Sequence, residues 1–276
     1  MKKFICIFFA LVILFSLVAC NQSPGVSPDI SSPESEDSSI ESQRTSKTPR
    51  NGTVFSMLYV GNSFTYVYDV PKQVQTLAAM YEVDIEYDQI TAPGAMLCDS
   101  KKEALAKINE NEYDFVVFQD YGGRPVDNQA EFKADIKELC DASKAKGSVP
   151  YLYSPAFAKS GFNEPDEWYQ KVETEAYMAA AEENGAGLVC AGDAWVYAYK
   201  KDPDLSLYQP GDFHANVIGA YLTSCVFVSE IFGLHVKDST SENVYYGPLA
   251  VPLGQTAWEF VEYRRENGYS SVEPLT

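Results

Sequence analysis

A serine that follows a glycine at the end of an apolar run is placed to do chemistry, and residues 54–65, Val-Phe-Ser-Met-Leu-Tyr-Val-Gly-Asn-Ser-Phe-Thr, have that form. Gly61 lets the chain turn sharply. Ser63 then projects from the strand end, ahead of a helix whose N–H groups can receive negative charge. Such a residue suits nucleophilic attack on an acyl carbon, which creates an oxyanion. Gly, Asn and Ser are also plain turn formers, so the segment needs a general base before it counts as a site.

The sequence contains only 2 histidines, His214 and His235, so one of them must be that base. His235 lies in Gly233-Leu234-His235-Val236, between apolar neighbours after a helical run, and reads as structural. His214 lies in Pro210-Gly211-Asp212-Phe213-His214-Ala215-Asn216, a polar loop with a carboxylate two residues away and an apolar helix behind it. Residues two apart on an extended segment point the same way, so Asp212 is the first candidate to orient the imidazole. Asp204, Asp193 or a backbone carbonyl stand as alternatives.

Ser63 and His214 can meet only if a fold brings the two ends of the chain together. Apolar runs at 54–60, 83–90, 113–118, 149–153 and 187–190 read as strands, each nearly continuous in apolar character. Helical spacing covers 70–81, 100–109, 129–146, 166–184, 216–232 and 255–265. Strands that alternate with helices and are buried on both faces form a parallel sheet between two helical layers. In such sheets the ligand lies at the carboxyl ends of the strands. That limits the search to the loops after Val60, Ile90, Phe118, Tyr153 and Cys190.

The pair of motifs resembles the SGNH hydrolases, esterases and acetylhydrolases on a three-layer α/β/α, flavodoxin-like fold. Gly61-Asn62-Ser63-Phe64-Thr65 is similar to the family's first block. Asp212 and His214, with Asn216 and Gly219 behind them, are similar to its last, although the family usually places the Asp three residues before the His. The resemblance implies an ester hydrolase with Ser63, His214 and Asp212 as catalytic residues and no metal or cofactor. It also implies an oxyanion hole from the Ser63 N–H, a glycine after the second strand and an Asn side chain after the third. Gly94, in Ala92-Pro93-Gly94-Ala95, fits the glycine. Gln119 stands where the Asn would be, and its longer carboxamide carries the same donor. Asp120, Arg124, Tyr66, Tyr121 and Trp195 are further candidates to line the pocket.

The remaining sequence sets the context. Lys2 and Lys3 precede an apolar run over 4–18 that ends in Leu17-Val18-Ala19-Cys20, a secretion signal. The run is short for a full membrane span, and its end resembles a bacterial lipoprotein signal with Cys20 as the lipidated residue, so residues 1–19 would be removed. Residues 20–52 are rich in Ser, Pro and Glu and read as a disordered tether. Residues 53–276 form one domain. Asn51-Gly52-Thr53 matches a glycosylation sequon that would be accidental in a bacterial lipoprotein. The net charge of −18 excludes nucleic acid as a partner. Cys98, Cys140, Cys190 and Cys225 show no metal-binding spacing and leave disulfides or buried thiols open. The expected protein is an exported, lipid-anchored esterase on the outer face of the bacterial membrane. Its substrate would be a small or carbohydrate ester, an acetyl ester first. The rivals are a glycan-binding lipoprotein with a degenerate site, and a lipid or thioester hydrolase.

Overall fold

The computed structural model describes Gly52 and residues 54–237 and 247–267. The expected signal, Cys20 and all of the expected tether but Gly52 lie outside these residues. Five strands, β1 (Phe55–Gly61), β2 (Ile85–Thr91), β3 (Phe115–Phe118), β4 (Val149–Ser154) and β5 (Gly187–Cys190), form one parallel sheet. Their order is β2-β1-β3-β4-β5. The helices are α1 (Ser63–Tyr66), α2 (Val70–Ala79), α3 (Leu97–Glu110), α4 (Arg124–Asp127), α5 (Gln129–Ala145), α6 (Glu167–Asn184), α7 (Ala191–Lys201), α8 (Val217–Phe232) and α9 (Ala250–Asn267). The expected three-layer architecture is present, and every expected strand and helix is found, β5 with the expected bounds and the others with shifted ends. No described helix is long and apolar enough to cross a membrane.

Helices α3, α5 and α6 cover one face of the sheet, while α2 and α8 with α7 and α9 form the other layer. Phe132 of α5 packs edge-on against Tyr177 of α6, with centroids 5.1 Å apart. On the opposite face Phe227 of α8 lies between Tyr59 and Tyr153, at 6.0 and 5.0 Å. Helix α8 is apolar on nearly every side, and its burial follows from that. It packs against α2, α7 and α9.

Three helices were not expected. Helix α7 begins at Ala191, immediately after β5, with Cys190 as its N-cap. Strand runs into helix with no loop between them, and the sequence carries no turn signal there. Helices α1 and α4 are single turns, too short to show a period.

The chain leaves β1 toward one edge to make β2 and returns to the other side for β3. This reversal between β1 and β3 opens a crevice at the carboxyl ends of those strands. Ser63 follows β1 by two residues and therefore stands in it.

Candidate active site

The nucleophile loop is held from beneath by one buried carboxamide. Gln119 Oε1 accepts from the Asn62 N–H at 2.9 Å and from the Thr65 hydroxyl at 3.0 Å, and its Nε2 donates to the Asp120 carbonyl. A Cβ at Gly61 would stand 2.6 Å from that Oε1 and 2.5 Å from Thr65 Oγ1, so only glycine allows this approach. Asn62 caps α1 by accepting from the Phe64 N–H at 3.1 Å, and its Nδ2 donates to the Ala95 carbonyl at 3.0 Å. The side chain thus ties the nucleophile loop to the loop after β2. From β4, the Tyr153 hydroxyl donates to the Phe64 carbonyl at 3.2 Å.

The histidine loop is a short hairpin. Tyr208 and Ala215 form an antiparallel bridge, and Gln209 N–H donates to the His214 carbonyl at 2.9 Å. Pro210 and Gly211, the latter at φ +73°, turn the chain, and the turn closes with Asp212 N–H on the Gln209 carbonyl at 3.1 Å. Asn216 caps α8 through the Ile218 and Gly219 N–H groups at 2.8 and 3.0 Å. Its Nδ2 donates back to the Ser206 and Tyr208 carbonyls. The hairpin and the buried helix are therefore joined at one residue, two positions from His214.

These two loops bring the distant residues together. His214 Nε2 lies 2.8 Å from Ser63 Oγ, and His214 Nδ1 lies 2.8 Å from Asp212 Oδ1. The same Asp212 oxygen accepts the His214 backbone N–H at 3.1 Å. The two-residue spacing works through this Asx turn and not through extended alternation, since the segment bends at Asp212. The carboxylate fixes the ring proton at Nδ1 and leaves Nε2 to accept from the serine. Burial opposes ionisation of Asp212, but the His214 N–H, the His214 ring and the Phe213 N–H outweigh it and hold the carboxyl below its usual range. The alternatives fall elsewhere: Asp193 is buried in α7 with the Thr174 hydroxyl at 2.6 Å, and Asp204 is exposed. His235 stacks on Trp258 at 4.8 Å and bonds Gln255 at 2.7 Å, remote from the crevice.

Gly94 lines the crevice with Ser63 and His214. It occupies the third position of a turn closed by Ala95 N–H on the Ala92 carbonyl at 3.2 Å, with φ +63°. The Gly94 N–H is not the donor that closes this turn. Among the described residues neither it nor the Ser63 N–H has an acceptor. Gln119 is a correction: it is buried, its Oε1 is taken by the nucleophile loop and its Nε2 by the Asp120 carbonyl, and it does not line the crevice. Helix α1 is a single turn, so the expected helix-end field reduces to individual N–H groups. Asp120 and Arg124 also lie beneath the surface, as a buried ion pair that continues to Asp135 at 2.5 Å. Trp195 packs on Tyr208 under the histidine loop. Tyr66 and Tyr121 do line the crevice.

The crevice encloses about 470 Å³. Its wall beside His214 is aromatic. Phe213 stacks on the His214 ring at 4.3 Å, and Phe64 lies 5.9 Å from both rings. Phe162 arrives from a second hairpin, pinned by the Ala158–Pro165 bridge. Sequence reasoning missed this hairpin, because single-residue bridges leave no periodic trace. All four described cysteines are free thiols. Among the described residues no cluster of His, Cys, Asp or Glu could hold a metal ion.

No protein-family model and no curated protein matches the chain. Solved structures do. A DUF4886 family protein from Bacteroides uniformis superposes with a TM-score of 0.62 at 13% identity, over 77% of this chain and 96% of that one. A candidate SGNH hydrolase from Slackia heliotrinireducens gives 0.52 at 22% identity, over 64% and 99%. A variant of Axe2, an acetyl xylan esterase from Geobacillus stearothermophilus, gives 0.52 at 19% identity, over 65% and 96%. The chain has the three-layer α/β/α fold of the SGNH hydrolases.

Proposed function

We propose that the protein is a serine esterase acting through Ser63, His214 and Asp212. The observation that carries this reading is the relay of two 2.8 Å contacts from Asp212 through His214 to Ser63. Ser63 Oγ attacks the ester carbonyl carbon while His214 Nε2 takes its proton. The Ser63 and Gly94 N–H groups receive the oxyanion. The intermediate collapses, the bond to the alcohol oxygen breaks, and His214 returns the proton to that oxygen. Water repeats the sequence and releases the acid. The steps draw on these residues and water.

Acetyl or another short acyl group on a carbohydrate is the substrate class we favour, because an acetyl xylan esterase shares the fold. We place the enzyme outside the cell, held at the membrane by lipid on Cys20, with residues 21–52 as its tether. The test is hydrolysis of p-nitrophenyl acetate by wild type, Ser63→Ala and His214→Ala. Each substitution should lower kcat/KM by about 10³-fold or more. The activity should sediment with membranes, and a labelled fatty acid should be incorporated by wild type and not by Cys20→Ser. Hydrolysis indifferent to both active-site changes would falsify the esterase reading. Equal labelling of wild type and Cys20→Ser would remove the lipid anchor from the account.

A further inference from the structure

Two aromatic side chains stand at the crevice mouth, exposed, on loops that share no sequence neighbourhood. Phe162 is 37% exposed and Phe213 is 43% exposed, with ring centroids 6.0 Å apart. Phe162 also has φ +55°, a left-handed conformation that bulky residues avoid. Its hairpin is built to hold it there. Phe162 N–H donates to the Lys159 carbonyl at 2.9 Å, Lys159 N–H donates to the Glu164 carbonyl at 2.9 Å, and Lys159 Nζ pairs with Glu164 at 3.0 Å. Tyr199 of α7 adds a hydroxyl on the Glu164 carboxylate at 2.8 Å. These contacts hold Phe162 in its strained conformation at the crevice mouth.

The chemistry fixes which part of an ester these rings meet. On the esterase reading, on which this inference rests, His214 Nε2 must protonate the departing alcohol oxygen, so the alcohol lies on the His214 side of the reacting carbon. The oxyanion lies on the Gly94 side. Phe213 is stacked on His214, and Phe162 lies beyond it. Among the described residues no Asp, Glu, Lys or Arg lines the crevice. We infer that Phe162 and Phe213 form an alcohol-side subsite that selects esters whose alcohol carries a flat, uncharged ring. The shared ligand chemistry is an apolar ring face, which a pyranose presents with its C–H bonds and an aryl group with its π surface. In the acylation step the Ser63 Oγ–acyl bond forms, the acyl–alcohol bond breaks and the proton passes from Ser63 through His214 to the alcohol. The ring face then leaves with its alcohol, so deacylation does not use the subsite.

Acetate esters that share the acyl group and differ in the alcohol test this, assayed with the full chain as ethyl acetate, phenyl acetate and a mono-O-acetyl methyl glucopyranoside. Each variant is compared with wild type on the same ester, so intrinsic leaving-group reactivity cancels. Phe162→Ala should lower kcat/KM for the ring-bearing esters by about tenfold, the effect of one ring contact, and for ethyl acetate by less than about twofold. Phe162→Tyr should keep the wild-type pattern. Phe162→Leu keeps apolar bulk without a flat face and should lose the preference, which carries the test if the alanine variant does not fold. A fall confined to phenyl acetate or to the pyranoside supports the subsite and identifies its source. Equal losses on all three esters, or no loss on any of them, overturn it. Retained activity in Ser63→Ala is a separate outcome that removes the esterase reading itself.

Discussion

Gln119 occupies the place of an oxyanion donor in the sequence and serves a different purpose in the fold. Its carbonyl oxygen holds Asn62 and Thr65, and its amide nitrogen holds the Asp120 backbone. The two roles predict different damage. Replacing Gln119 by Leu leaves a buried N–H and a hydroxyl without their acceptor, which costs about 2–4 kcal/mol of stability. Urea denaturation should report that loss, with activity falling through displacement of the Ser63 loop. A donor that pointed at the oxyanion would instead show unchanged stability and a kcat reduced by about 10²–10³-fold. Ser63, His214, Asp212 and Gly94 were legible as candidates because each has a local cause: a strand-end glycine, a scarce base, a neighbouring carboxylate, a Pro-Gly turn. The direction of the Gln119 amide was not legible. It depends on two residues more than fifty positions away.

At the scale of elements, the histidine hairpin is placed by how closely α8 approaches it. A Cβ on Gly219 would lie 2.4 Å from the Leu207 carbonyl and 2.4 Å from the Trp195 ring. Gly219→Ala should therefore push the hairpin off the helix. A loss of about 1–3 kcal/mol is expected from such overpacking, together with a lower kcat as His214 retreats from Ser63. Thermal denaturation and p-nitrophenyl acetate turnover measured on the same sample check both. Normal turnover in a destabilised variant would show that α8 does not set the His214 position. The strands and long helices could be read from sequence because apolar period and burial coincide in them. Helix α7 could not, since nearly all of its first two turns are buried and it starts without a loop. The Phe162 hairpin was hidden for a related reason: its shape comes from one bridge, one ion pair and a strained residue, none of which has a period.

Across the whole molecule, charge is taken into the interior in both helical layers, with Asp193 and Arg264 in one and Asp120, Arg124 and Asp135 in the other. Lys101, Asp135, Arg124 and Asp120 form a chain of ion pairs under the loop that follows β3. Behind the same loop Glu173 of α6 is fully buried, and neither of its oxygens has a well-formed hydrogen bond. Burial, reinforced by the charges of Asp120 and Asp127 and only partly offset by the Gly123 N–H, pushes its pKa up to about 8. Folded Glu173 thus keeps its proton at pH 7, where the unfolded chain, near its ordinary value of 4.5, has lost it. Folding then binds a proton between those two values, so stability falls as pH rises through that window. The full contribution is present below the unfolded pKa and is gone above the folded one. The slope from this one group approaches about 1.4 kcal/mol per pH unit. Glu173→Gln keeps the shape and removes the titration. Urea midpoints between pH 5 and 9 should therefore converge at low pH, with the variant becoming the more stable protein as pH rises. Parallel curves across that range would mean that Glu173 is ionised in the folded state. The loop bearing Tyr121 and Gly122, which lines the crevice, would then rest on a buried carboxylate instead of a neutral acid.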